Sequence, residues 1–194
     1  MNETRTTGTT PLDPDEAEGL IPTHVTTRED LNRLEQENIV EAMQWLSTSR
    51  PKAILDEAFI RKLHRQMFGR VWKWAGKFRN SDKNIGIDSE KIGVELHELL
   101  ENTKAQIEYK SYPPDEIAYR FHHRLVAIHP FPNGNGRHAR LMTEVVQIVN
   151  GESPFTWGSS DLYGSESKAR KSYLDALREA DNGSYKSLIR FVRQ

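Results

Sequence analysis

The strongest constraint on this chain lies between residues 114 and 150, where two apolar stripes of helical period flank a stretch that cannot be helical. Ile117, Phe121, Leu125 and Ile128 recur three or four residues apart, and Leu141, Val145, Ile148 and Val149 continue the pattern further on. Between them runs His129-Pro130-Phe131-Pro132-Asn133-Gly134-Asn135-Gly136-Arg137-His138-Ala139-Arg140. Pro130 has no N–H to give a helix and pushes the residue before it out of the α region. The first helix therefore ends at or just before His129, which is held by a rigid neighbour rather than buried inside a turn. Phe131 is the expected anchor that packs the loop onto the core.

The residues of the loop point to an anion site. Asn133, Gly134, Asn135 and Gly136 tolerate positive φ and let backbone approach a ligand closely. Successive N–H groups in such a run form a concave nest, and the next helix adds its positive end. Arg137 and Arg140 stand three apart, on one face of that helix's first turn. Two guanidinium forks there suit more than one phosphate group. A neutral His129 beside them can act as a general base towards a hydroxyl. The chemistry expected from the residues is transfer of a phosphate-containing group from a nucleotide to a hydroxyl. On the loop alone, a plain helix–helix connector with solvated arginines accounts for the residues equally well, and only the full spacing favours the anion site.

The remaining segments also carry the helical period. Thr27 with Asp30 resembles a capping box, opening a helix whose Leu31, Leu34, Ile39, Met43 and Leu46 share one side until Ser47–Pro51. A second helix is expected from Asp56 to Phe68, stopped by Gly69, with Phe59, Ile60, Leu63 and Met67 inward. A third spans Ser89 to Lys110, with Ile92, Leu96, Leu99 and Ile107 on its stripe. Pro113 and Pro114 break the chain, and Asp115 and Glu116 favour the positive end of the next helix. After Asn150-Gly151, a helix running through Ala180, an Asp-Asn-Gly turn and a last short helix complete the chain. Between the second and third helices, Trp72, Trp74 and Phe78 alternate with Gly76, Asn80, Ser81, Asp82, Asn84 and Gly86. That mixture reads as a short strand pair or flap around Lys83, or as a loop pinned by its tryptophans. The fold class is all-α with at most one β-hairpin. Residues 1–27, rich in Thr, Pro, Asp and Glu without a period, read as an extended, partly ordered arm, and 28–194 as one domain.

Composition excludes several functions. Lys+Arg 27 against Asp+Glu 28 leaves a net charge of -1, unsuited to wholesale nucleic-acid binding. The chain has no cysteine, which rules out disulfides, thiolate metal sites and a thiol nucleophile, and fits a reducing cytoplasm. No apolar run approaches bilayer length, and the polar start is not a secretory signal.

The stretch His129-x-Phe131-x-Asn133-Gly134-Asn135-Gly136-Arg137-x-x-Arg140 resembles the signature of the Fic family, H-x-F-x-[D/E]-G-N-G-R-x-x-R. "WAGKFR" at 74–79 and "YLDALREADNGSYKSLIRFV" near the C-terminus are similar to further Fic segments, so the likeness spans roughly residues 30 to 194. "PLDPDEAEGLIP" and Asn133 resemble the subgroup called mobile mystery protein B. The resemblance implies a Fic-type helical bundle with a short β-hairpin flap, and transfer of AMP from ATP to a Ser, Thr or Tyr hydroxyl of a target protein. It implies His129 as general base, Gly134, Asn135 and Gly136 as the anion hole, and Arg137 and Arg140 on the nucleotide phosphates. Lys83, Asn84 and Ile85 would align the target by strand pairing. Asn133 replaces the family's metal-binding acid; its amide oxygen would hold Mg²⁺ weakly or through water. Many members also carry an inhibitory helix reading [S/T]-x-x-x-[E/D]-[G/N]. Here Glu18-Gly19, Glu37-Asn38, Glu101-Asn102 and Asp181-Asn182 follow Pro14, Arg33, His97 and Leu177, so none matches. Inhibition would then come from a separate, antitoxin-like helix-turn-helix protein.

Two rival readings draw on the same residues. A metal hydrolase would use His122, His123, His129 and His138, but H-E-x-x-H is absent and adjacent histidines point to different helix faces. A nucleotide-binding module that lost turnover at Asn133, or one that transfers UMP, phosphate or another group, is the second.

Overall fold

The computed structural model describes residues 14–159 and 168–194. The start of the expected arm, residues 1–13, and Ser167 at the start of the penultimate helical segment lie outside the described residues. The chain runs through helices α1 (Pro14–Ala17), α2 (Arg28–Ser49), α3 (Glu57–Phe68), α4 (Ile92–Glu108), α5 (Pro114–Ile128), α6 (Asn135–Val149), α7 (Lys168–Asp181) and α8 (Lys186–Val192). Their ends follow local chemistry. Thr27 Oγ1 accepts from Asp30 N at 3.1 Å to open α2, and Asp56 does the same for Phe59 at the start of α3. Pro114 sits in the first turn of α5, where its missing N–H costs nothing.

Two apolar cores result. The larger joins α2 to α6 through Leu63, Met67, Phe68, Leu96, Phe121, Leu125, Phe131 and Met142. The smaller packs α7 and α8 onto α5 through Tyr119, Phe155, Trp157, Tyr173, Leu177, Leu188 and Phe191. Each such side chain stabilises by about 1.5–3 kcal/mol when fully buried. The motif loop is wedged at the top of the larger core by Phe131, which is fully buried as expected.

Three expectations change. Met43 of α2 is 48% exposed, because the buried face runs through Glu35, Asn38, Ile39 and Ala42. Asn38 holds the end of α3, donating to Gln66 O at 2.9 Å and accepting from Arg70 N at 3.1 Å. In α6 the inward stripe stops at Val146, leaving Ile148 and Val149 exposed. The segment around Lys83, Asn84 and Ile85 is an irregular loop rather than a hairpin. Among the described residues the single β-bridge joins Leu20 to Trp72 instead.

The physical reason for the missing hairpin is Arg79. Its buried guanidinium takes the carbonyls of Ser81, at 2.8 Å, and of Ile87, groups that a strand ladder would otherwise use. The described part of the arm, residues 14–21, lies on the tryptophan segment. Ile21 N donates to Val71 O and Lys73 N to Gly19 O, each at 2.8 Å, while Trp74 Nε1 donates to Glu16 O at 2.9 Å. Glu16 reaches on to Lys83, 2.6 Å away, in a nearly buried ion pair that ties arm to flap.

Candidate active site

His129 caps α5 in the left-handed region, with φ 54 and ψ 59. Such a φ is unusual for a residue with a side chain and is sustained only where the surroundings over-determine it. Here Arg79 does so. Its Nε donates to His129 O at 2.8 Å, and its backbone N–H donates to Pro130 O at 3.0 Å. Nδ1–H of His129 faces Val126 O at 3.4 Å, which leaves the lone pair on Nε2. Burial pushes the imidazole pKa down to about 4; the Val126 carbonyl counters this in part, and the Arg79 charge adds to it. His129 is therefore neutral at pH 7. The flap covers it closely: a Cβ on Gly86, whose φ is +107, would come 2.7 Å from His129 Cβ.

The loop after His129 is braced from inside. Asn135 Oδ1 accepts from Phe131 N at 2.9 Å, and its Nδ2 donates to Phe131 O at 2.8 Å. The Asn135 side chain is thus buried within the loop, which leaves its backbone for the expected anion hole. Gly134 is the N-cap of α6 with φ +78 and no side chain to close the helix end. A Cβ there would strike Phe68 at 2.6 Å, so only glycine fits. At Gly136 a Cβ would meet only Arg140 Nη1, 3.9 Å away, so Gly136 and Arg140 border the same space. Asn133 Oδ1 accepts from Gly134 N at 2.6 Å, folded onto its own loop.

The two motif arginines have different surroundings. Arg137 Nη1 is 2.6 Å from Glu35 Oε2, and its guanidinium lies over the Phe68 ring at 4.8 Å. Glu35 is buried on α2, and its other oxygen accepts from Trp72 Nε1 at 2.6 Å. Arg140 instead lies against Tyr173 of α7, 5.8 Å from the ring centre. Arg170, one turn earlier on α7, lies within electrostatic reach of both; burial first, then Arg140, push its pKa down. Glu144, one turn beyond Arg140, accepts from Trp157 Nε1 at 2.8 Å.

Sequence reasoning missed Glu35, Arg79, Arg170, Tyr173 and His64. Glu35 had a usable signal, since an acid four residues from both Leu31 and Ile39 sits on the apolar stripe and needs a buried partner. His64 is a strut: its Nδ1 accepts from Gly76 N at 3.0 Å, so Nε2 carries the proton and donates to Asn133 O at 3.0 Å. It stacks on Phe131 at 3.7 Å and joins the tryptophan segment to the motif loop. The histidines of the hydrolase reading do not converge. His122 binds Tyr173, His123 binds Asp181, and His138 binds Ile60 O, each at about 3 Å. Among the described residues no group of three or more His, Asp or Glu side chains is placed to hold a metal.

A profile for the Fic/DOC family matches residues 54–146, the span from the start of α3 to the end of the buried stripe of α6. Over that span, just under half of its length, the chain is similar to the Fic/DOC family. A protein adenylyltransferase Fic of Aedes aegypti is 28% identical over 137 residues, covering 69% of this chain and 26% of the relative. The chain therefore spans about a quarter of the length of that relative. The fold matches the N-terminal Fic domain of a cell filamentation protein of Bartonella quintana, with a TM-score of 0.72 and 17% identity over 92% of this chain and 91% of that one. It also matches the BepC protein of Bartonella tribocorum, solved with bound AMPPNP, with a TM-score of 0.69 and 18% identity over 92% and 95% of the two chains. No helix among the described residues is long and apolar enough to cross a membrane.

Proposed function

We propose that this chain transfers AMP from ATP to a Ser, Thr or Tyr hydroxyl of a target protein. The observation that carries the reading is the placement of a neutral His129, its Nδ1–H committed to Val126 O, beside the glycine-capped start of α6. Nε2 takes the proton as the hydroxyl oxygen bonds to the α-phosphorus, and the bond to the β-phosphate oxygen breaks, releasing pyrophosphate. Backbone N–H groups of Asn135 and Gly136 would face the transferring phosphate, with that of Gly134 joining them once it leaves Asn133 Oδ1, and Arg140 would face the leaving phosphates. Negative charge from a bound polyphosphate raises the low pKa of His129 and makes it a stronger base. The protein adenylyltransferase among its relatives and the AMPPNP-bound neighbour support this reading.

Two further elements belong to the proposal. Lys83, Asn84 and Ile85 precede Gly86, the residue packed against His129, and would align an extended target segment along their backbone. A separate helix-turn-helix protein of the antitoxin type would restrain the enzyme in the cytoplasm; failure of the two to co-purify on co-expression would remove that partner.

Mg²⁺ fits the described residues poorly. Its expected ligand, Asn133, offers a neutral amide oxygen already bonded to Gly134 N, and no carboxylate cluster stands beside it. No step is therefore routed through the ion. Replacing Asn133 by Asp would supply the missing charge, and transfer should then rise in a Mg²⁺ titration. Equal activity of the two proteins across that titration would refute this account of position 133.

The test of the function is incubation with α-labelled ATP, Mg²⁺ and lysate. Label should enter protein with the wild-type chain and disappear with His129→Ala. Incorporation that persists in His129→Ala would defeat the mechanism. ATP binding without incorporation would favour the module lacking turnover, a reading that the engaged amide of Asn133 also supports.

A further inference from the structure

Behind the phosphate-facing side of α6 runs a buried chain of hydrogen bonds that the mechanism above does not use. Tyr173 Oη of α7 lies 2.9 Å from His122 Nε2 of α5. His122 Nδ1 lies 3.3 Å from Thr143 Oγ1 of α6, and Thr143 donates to Ala139 O at 2.7 Å. His122, Thr143 and Tyr173 are all buried.

The proton positions follow from valence. Thr143 has one hydrogen and gives it to Ala139, so towards His122 it can only accept. His122 Nδ1 must then donate, and a neutral ring protonated at Nδ1 has its lone pair on Nε2. The ring is kept neutral by burial, aided by the nearby Arg140 charge, with a pKa of about 3. Tyr173 therefore donates its hydroxyl hydrogen to His122. Its oxygen lone pairs are then left for Arg140, whose guanidinium lies 5.8 Å from the ring centre and acts electrostatically on the phenol. The order is Arg140 to Tyr173 to His122 to Thr143 to Ala139, so the chain begins and ends on α6.

The contrast with Arg137 gives this chain its meaning. Arg137 is held by a buried carboxylate, Glu35, which neutralises it. The α7 group against Arg140 is a neutral phenol, which can fix the direction of the guanidinium. Glu144, one turn along the same helix, accepts from the Trp157 indole and lies within electrostatic reach of Arg140.

We propose that Tyr173, oriented by His122 and Thr143, is a positioning residue that aims Arg140 at the polyphosphate of a bound nucleotide. This inference rests on the reading of the loop as a nucleotide-phosphate site.

The test is a double-mutant cycle on ADP affinity, measured by calorimetry on the full chain with urea midpoints recorded for each variant. Tyr173→Phe should weaken ADP binding roughly 3- to 10-fold, the worth of one net hydrogen bond. In an Arg140→Ala background the same change should add less than roughly 1.5-fold, since no guanidinium is left to aim. His122→Asn should behave like Tyr173→Phe. His122→Gln, whose amide oxygen reaches the position of Nε2, should recover most of that loss. Equal effects of Tyr173→Phe in both backgrounds, or none in either, would overturn the proposal even if stability falls. If the wild-type chain binds no ADP, the nucleotide reading fails separately. The relay is then judged by ¹⁵N NMR of His122, which should show a protonated Nδ1 throughout pH 5–8 and an Nε2 resonance that moves in Tyr173→Phe. An Nε2-protonated ring would refute it.

Discussion

Glu35 is the clearest place to test how the site is held. Its carboxylate is 5% exposed and serves two groups at once, Arg137 Nη1 and Trp72 Nε1, both at 2.6 Å. Glu35→Ala leaves a buried indole N–H without its acceptor, at a cost of about 1–3 kcal/mol. It also strips the partner from Arg137, where breaking a buried pair costs about 3–5 kcal/mol. The Arg137 side chain keeps 20% of its exposure, so water reaches part of the guanidinium and the lower end of each range applies. The expected loss is about 4 kcal/mol. Glu35→Gln keeps an acceptor for Trp72 and loses only the charge, so it should cost about 2 kcal/mol. Arg137→Met strands Glu35 and should cost about 3 kcal/mol. Urea unfolding of both single mutants and of Glu35→Ala/Arg137→Met gives the coupling directly. The double mutant should be more stable than additivity predicts by at least about 1.5 kcal/mol. Additivity within about 0.5 kcal/mol would show that the pair is not coupled, and the argument for Arg137 as a fastened cation would fall.

Other perturbations have signs set by the same geometry. His64, His122, His129 and His138 are buried with pKa values below the usual imidazole range, to about 3 for His122 and about 4 for His129 and His138. Each binds a proton on unfolding between its folded pKa and about 6.5, so their contribution is complete above that pH and is lost as pH falls towards 4. Each ring adds up to about 1.4 kcal/mol per pH unit, and urea titrations at pH 7, 6 and 5 should steepen accordingly; a flat profile would refute it. Gly86→Ala puts a methyl group 2.7 Å from His129 Cβ at a φ of +107, so the flap must move. AMP incorporation should drop at least about tenfold with a destabilisation of about 1–3 kcal/mol, and unchanged activity would place the flap elsewhere. Asn135→Ala removes both hydrogen bonds that close the loop on Phe131 and should cost about 2–3 kcal/mol in thermal or urea unfolding.

Much of the frame was legible in the chain because it depends on local chemistry. The period of Ile117, Phe121, Leu125 and Ile128, the break at Pro130 and the caps at Thr27 and Asp56 each act within a few residues. They place α2, α3, α5 and α6 close to where they are found. The same holds for the loop, whose glycines and asparagines let the chain turn out of α5 into the glycine-capped start of α6. The outward turn of Ile148 and Val149 was not legible. An apolar stripe gives a direction, but only the neighbouring helices decide how far along it there is something to pack against.

The flap and the site's supports lay beyond the sequence for a different reason. Arg79 could not be singled out among the 27 basic residues, since its role is to collect carbonyls from 81, 87 and 129 that meet only after folding. Taking those carbonyls is also what replaces the expected hairpin by a loop. The sequence by itself determined that a histidine, a glycine-lined helix start and two arginines would lie close along the chain, because all fall within the twelve residues from His129 to Arg140. Tertiary structure alone decided what each arginine does. Arg137 meets an acid 102 positions away and Arg140 meets a phenol on another helix, and a partner's charge is not encoded in the spacing of the residue it holds.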